Sequence, residues 1–123
     1  MRTLTLSLLA SLAPLGSCVC AMIPSAPEVV YHAAAGSCHL DVLYLDEDGE
    51  KVRRPRVRGW PEDGSHEPWT QSVELEPGET ARISVVVNNC MRTPVCWITQ
   101  GDAKLVPKTP GNPAVCEIVV PAP

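Results

Sequence analysis

Trp69–Asn88 reads WTQSVELEPGETARISVVVN, and both of its halves alternate. In the second half Ala81, Ile83, Val85 and Val87 fall on one side, with Arg82 and Ser84 on the other. In the first half Trp69, Gln71, Val73 and Leu75 share a side. A period of two is the mark of a strand with one buried face. Between the halves, EPGE (Glu76–Glu79) fits a type II turn, with Pro at the second place and Gly at the third, where φ is positive. The stretch predicts two strands joined by a tight turn.

Outward from this hairpin the pattern repeats. EVVYHA (Glu28–Ala33) and HLDVLYL (His39–Leu45) read as strands. DEDG (Asp46–Gly49) reads as a turn that closes on a positive-φ glycine. EKVRRPRVR (Glu50–Arg58) is the return strand. Pro55 has no amide donor, so that strand belongs at a sheet edge, where its arginines discourage pairing with another chain. VCWITQ (Val95–Gln100) and AVCEIVV (Ala114–Val120) place Cys96 with Ile98, and Cys116 with Ile118 and Val120, on inward faces. AKLV (Ala103–Val106) lies between them. No segment beyond the leader sustains a helical period, and 13 prolines punctuate the chain. The prediction is an all-β domain over residues 29–120, a two-sheet antiparallel Ig-like β-sandwich of about seven strands. A small barrel is the alternative that strand counting leaves open.

A chain of 123 residues holds one domain. Its formal charge of −4 becomes −5 if Arg2 leaves with a leader. An acidic domain is poorly suited to nucleic acid or to direct docking on anionic lipid. The leader carries one cation, Arg2, and a 13-residue apolar segment, Leu4–Gly16. A spanning helix needs about 20 apolar residues and a signal-peptide core about 7–15. Residues 1–21 therefore read as a signal peptide, and residues 22–28 as a Pro-stiffened spacer. Two cuts compete. Cleavage after Val19–Ala21 would release Met22. The stretch LGSC (Leu15–Cys18) resembles a bacterial lipobox, which would make Cys18 a lipid-modified N-terminus and the only membrane attachment. Either route implies export, as an envelope lipoprotein or a secreted protein.

Behind such a leader, Cys38, Cys90, Cys96 and Cys116 read as two disulfides. Zinc sites usually offer close pairs such as C-x2-C, whereas Cys90 and Cys96 are six apart. His32, His39 and His66 are scattered, and no His follows His66, so the order of ligands in a copper site fails. DEDGE (Asp46–Glu50) lacks the alternating ligands and closing Glu of a calcium loop. No nucleophile elbow, phosphate loop or zinc-protease motif occurs. The residues thus predict no catalytic set, no metal site and no cofactor. Trp69 reads as core, and Trp60 as a lid over the sandwich edge or as a contact residue.

Taken in order, YLDEDGE (Tyr44–Glu50), PWTQSVEL (Pro68–Leu75), GETARISVVVNN (Gly78–Asn89), VCWITQGDAKL (Val95–Leu105) and AVCEI (Ala114–Ile118) resemble the MmpS family of transport accessory proteins. The resemblance covers most of the body. It implies a non-enzymatic domain that assists an export pump for lipids or siderophores, with a membrane transporter or another envelope protein as partner. Three features depart from the family pattern: a leader too short for its membrane helix, an enlarged loop within Arg53–Glu67, and the added cysteines Cys38 and Cys90. The rival function is a secreted small-molecule or metal binder built as a β-barrel. For the disulfides, matched offsets before Ile98 and Ile118 suggest Cys96–Cys116, and the resemblance also places cysteines there. Cys38–Cys90 would then be the second bond. Cys90–Cys96 with Cys38–Cys116 is the competing pairing.

The leader reading has a direct test. Mass spectrometry of the native N-terminus should find diacylglyceryl-Cys18 or free Met22, and Cys18→Ser should release a lipidated form from the membrane. An uncleaved Met1 would refute both cuts.

Overall fold

The computed structural model describes residues 28–58 and 68–122. These residues contain no helix and form eight strands. The strands are β1 (Glu28–Ala34), β2 (His39–Leu45), β3 (Lys51–Arg58), β4 (Trp69–Glu74), β5 (Thr80–Val86), β6 (Val95–Gln100), β7 (Ala103–Pro110) and β8 (Ala114–Val119). They build two antiparallel four-stranded sheets, ordered β4-β1-β6-β7 and β3-β2-β5-β8. The leader, most of the expected spacer and Trp60 lie outside the described residues. Glu28, expected to end the spacer, opens β1 and pairs with Glu74.

Eight strands replace the expected seven or so because β7 runs past Val106 to Pro110. Pro107 and Pro110 look like breakers, since each lacks an N–H. Yet β7 pairs only with β6, and at an edge the missing donor costs no ladder bond. The strand order also differs from that of a constant-type immunoglobulin domain. There the first two strands are neighbours in one sheet; here β1 and β2 lie in different sheets.

The alternating faces meet between the sheets. Val29, Tyr31, Ala33, Cys96 and Ile98 of one sheet pack against Leu40, Val42, Tyr44, Ala81, Ile83, Val85 and Cys116 of the other. Trp69 is half-buried at the margin, its ring 5.9 Å from that of Tyr44. Two kinds of link cross the gap. The Cys96–Cys116 disulfide joins β6 to β8, and Cys38–Cys90 joins the start of β2 to the segment after β5. The Tyr31 hydroxyl, fully buried, donates to the Leu45 carbonyl at 2.8 Å and accepts the Arg82 amide at 3.1 Å. Both partners belong to the opposite sheet.

The turns follow their sequences. Gly78 takes φ 94°, and the Glu79 amide reaches the Glu76 carbonyl at 3.0 Å. At the β2–β3 turn, Asp46 Oδ1 accepts the amides of Asp48 and Glu50, both at 2.9 Å, an Asx-type closure. β3 pairs only with β2 and so forms a sheet edge. Near Pro55 the register slips between Leu40 and Val42, and Arg56 adopts φ 56°. Asp41 Oδ1 accepts the Arg56 amide there. A bulged, arginine-rich edge resists adding another strand.

These turns also sort charge. The Asp46–Glu50 turn, the Glu76–Glu79 turn, the Glu28–Glu74 pair and Asp102 gather at one end of the sandwich. They hold nine of the chain's 14 acidic residues. The domain's N-terminal strand begins at this same end.

Burial drives the Tyr31 phenol up to about 12, because an anion there would lose water and gain little in exchange. The neutral phenol is thus favoured in the folded state. Its contribution is complete below the ordinary tyrosine value near 10 and is lost as pH rises through about 12. Tyr31→Phe should cost about 1–3 kcal/mol at neutral pH, since a buried amide and a carbonyl lose their partner. Urea denaturation from pH 8 to 12 should show the gap between wild type and variant closing as pH rises. A gap that stays constant would refute the buried-phenol linkage.

Candidate functional site

On the outer phase of β6, between inward Cys96 and Ile98, stands Trp97. An outward tryptophan is expected in solvent, yet only 6% of this one is exposed. Its cross-strand neighbours enclose it. His32 of β1 lies directly opposite and stacks on the indole, centroids 4.9 Å apart and planes within 7°. The Lys108 ammonium of β7 sits 4.8 Å from the indole ring centroid, within cation–π range. His32 Nε2 and Thr99 Oγ1 are 2.8 Å apart, which fixes the imidazole. The row His32–Trp97–Lys108 thus crosses three strands.

Beside this row two connections face each other at the end away from the acidic turns. One is the β1–β2 link, Ala35–Gly36–Ser37; the other is the β5–β6 link that carries Arg92. Gly36 takes φ 60°, a left-handed conformation that few side chains adopt. A Cβ on Gly36 would lie 3.0 Å from the Arg92 guanidinium. Glycine therefore lets the guanidinium lie close over the backbone. Cys38 and Cys90 join these same two connections by a disulfide, with Cα atoms 6.2 Å apart.

The two connections and the tryptophan row border an open pocket of about 310 Å³. Ala34, Ala35 and Val95 give it apolar walls, Trp97 an aromatic one, and Arg92 and Lys108 its charges. No acidic residue lines it. A cationic, aromatic-walled recess on an acidic protein is suited to holding a ligand by charge and by apolar contact together.

The other sequence-stated positions fall elsewhere. Cys18 and His66 lie outside the described residues, and His39 is exposed at the start of β2. Among the described residues, no three His, Cys, Asp or Glu side chains form a metal-holding group. Asp46 is occupied in closing its turn. Of the residues singled out in the sequence, only His32 reaches the pocket's aromatic row. Trp97, Arg92, Lys108 and Gly36 were overlooked. The available signal was phase: Trp97 is a large aromatic at an outward position of a strand whose inward positions are already assigned. Neither a family model nor a curated protein matches the chain.

Removing the ring should be costly. Trp97→Ala is expected to lower stability by about 3 kcal/mol or more, as for a buried aromatic. Lys108→Gln should cost only about 0.5–1 kcal/mol, the size of a cation–π contact at a partly exposed site. Chemical denaturation checks both, and a Trp97→Ala loss below about 1 kcal/mol would contradict the packing described.

Proposed function

We propose that the protein is an exported, non-enzymatic binding module that works as an accessory to a membrane export system or another envelope protein. The observation that carries this reading is the position of the pocket. It lies at the end of the sandwich opposite Glu28, where the domain joins its N-terminal segment. If Cys18 carries a lipid, the pocket points away from the membrane, toward whatever the module receives or presents. Two disulfides are compatible with an oxidising compartment. The resemblance to transport accessory proteins supplies the kind of partner. A closed barrel that binds a small molecule or metal in its interior has less support, because the strands form two open sheets, each with two edges.

The reading is tested in the cell. Maleimide trapping should find Cys38, Cys90, Cys96 and Cys116 all blocked in an envelope or culture-medium fraction. A photo-crosslinker at Thr93, on the pocket rim, should capture an export-system or other envelope protein, and one at Glu74 should not. Free thiols in a cytoplasmic fraction, or identical crosslinking from both positions, would refute it.

A further inference from the structure

The pocket combines three features that together specify a ligand class. Its charges are a guanidinium and an ammonium, with no carboxylate among the lining residues, while the chain as a whole carries −4. Arg92 presents a planar fork of donors, which matches the two oxygens of a carboxylate. Its walls, Ala34, Ala35, Val95 and the indole of Trp97, offer only apolar and aromatic surface to the remainder of a ligand. At about 310 Å³ the space sits at the lower end of the range of roughly 300–1,000 Å³ for small-molecule sites. The connection bearing Arg92 is pinned through Cys90 to Cys38, two residues from Gly36. That restraint limits the ordering the arginine must undergo when a ligand arrives.

We infer that this pocket binds a small organic anion: a carboxylate head held by Arg92 and Lys108, and a compact apolar body laid against Trp97, Ala34 and Val95. The inference rests on the binding-module reading and names the ligand for its site. Two cations in one recess would repel each other with no anion between them, and a carboxylate relieves that repulsion. The ammonium over the indole already polarises one side of the ring, so the apolar body meets the ring's free edge and the alanine wall. A neutral molecule of the same shape would fill the walls and leave the guanidinium without its anion. A bare inorganic anion would satisfy the cations and leave the walls wet. Only a ligand with both parts uses the whole site.

Benzoate is the probe, with benzyl alcohol as its neutral counterpart and inorganic phosphate as a head without an apolar body. The disulfide-bonded, ¹⁵N-labelled protein is titrated with each, and the Trp97 indole N–H and Arg92 side-chain signals are followed by NMR. Benzoate should shift both signals to saturation. Benzyl alcohol and phosphate should each bind at least about tenfold more weakly, since a hydrogen bond to a charged group is worth at least that factor. Arg92→Gln should lower benzoate affinity by about tenfold or more, and raising the salt should weaken it. Lys104→Gln, on β7 and outside the pocket lining, should leave it unchanged. Unshifted core amides in Arg92→Gln will show that the fold is intact. Equal affinity for benzoate and benzyl alcohol would overturn the anion assignment while leaving a binding pocket in place. Phosphate binding as tightly as benzoate would overturn the apolar half. Benzoate binding untouched by Arg92→Gln would place it at another site and overturn the inference. A titration with no saturable shift from any probe would overturn the inference and deprive the binding-module reading of its site.

Discussion

One hydroxyl group holds the two sheets in register. Tyr31 reaches from β1 through the core to the Leu45 carbonyl and the Arg82 amide, backbone groups at the end of β2 and near the start of β5. Apolar burial draws the sheets together but tolerates sliding, because dispersion is non-directional. A hydrogen bond to a specific main-chain atom does not tolerate it. Since the phenol is buried, any slip of one sheet over the other would strand three polar groups at once. The acidic turns and the opposite pocket keep their separation because of this fixed relation.

The Cys96–Cys116 bond supplies the same restraint farther along the sheets. In the chain-entropy account, closing a span of 20 residues stabilises by roughly 3 kcal/mol, a large share for a domain of this size. The Cys38–Cys90 bond acts elsewhere, tying together two connections at the pocket end. One disulfide therefore braces the core, and the other shapes the recess beside Arg92.

Much of the fold was legible because alternation is a local property. Ile83 and Val85 declare their face through Arg82 and Ser84, and EPGE declares its turn through the geometry that Pro77 and Gly78 permit. Two things were hidden. The end of β7 was obscured because Pro107 and Pro110 break strands in general and are harmless at an edge, and edge status depends on which strands pair. The pocket was hidden for a similar reason. His32, Trp97 and Lys108 are dispersed in sequence and meet only across the β1-β6-β7 ladder. Arg92 acquires its place from a glycine 56 positions away. Nothing in MRTPV (Met91–Val95) announces that neighbour.

The two disulfide loops follow one another along the chain: Cys38 to Cys90, then Cys96 to Cys116. Neither encloses a cysteine of the other. For a chain threaded through a pore with its N-terminus leading, the order of arrival then solves the pairing problem among the body cysteines. When Cys90 emerges, Cys38 is its only body partner. Once those two have joined, Cys96 has none until Cys116 follows. Nested or crossed bonds would require an early thiol to wait past a wrong partner, or an isomerase to undo a mistake. Sequential loops let oxidation keep pace with translocation.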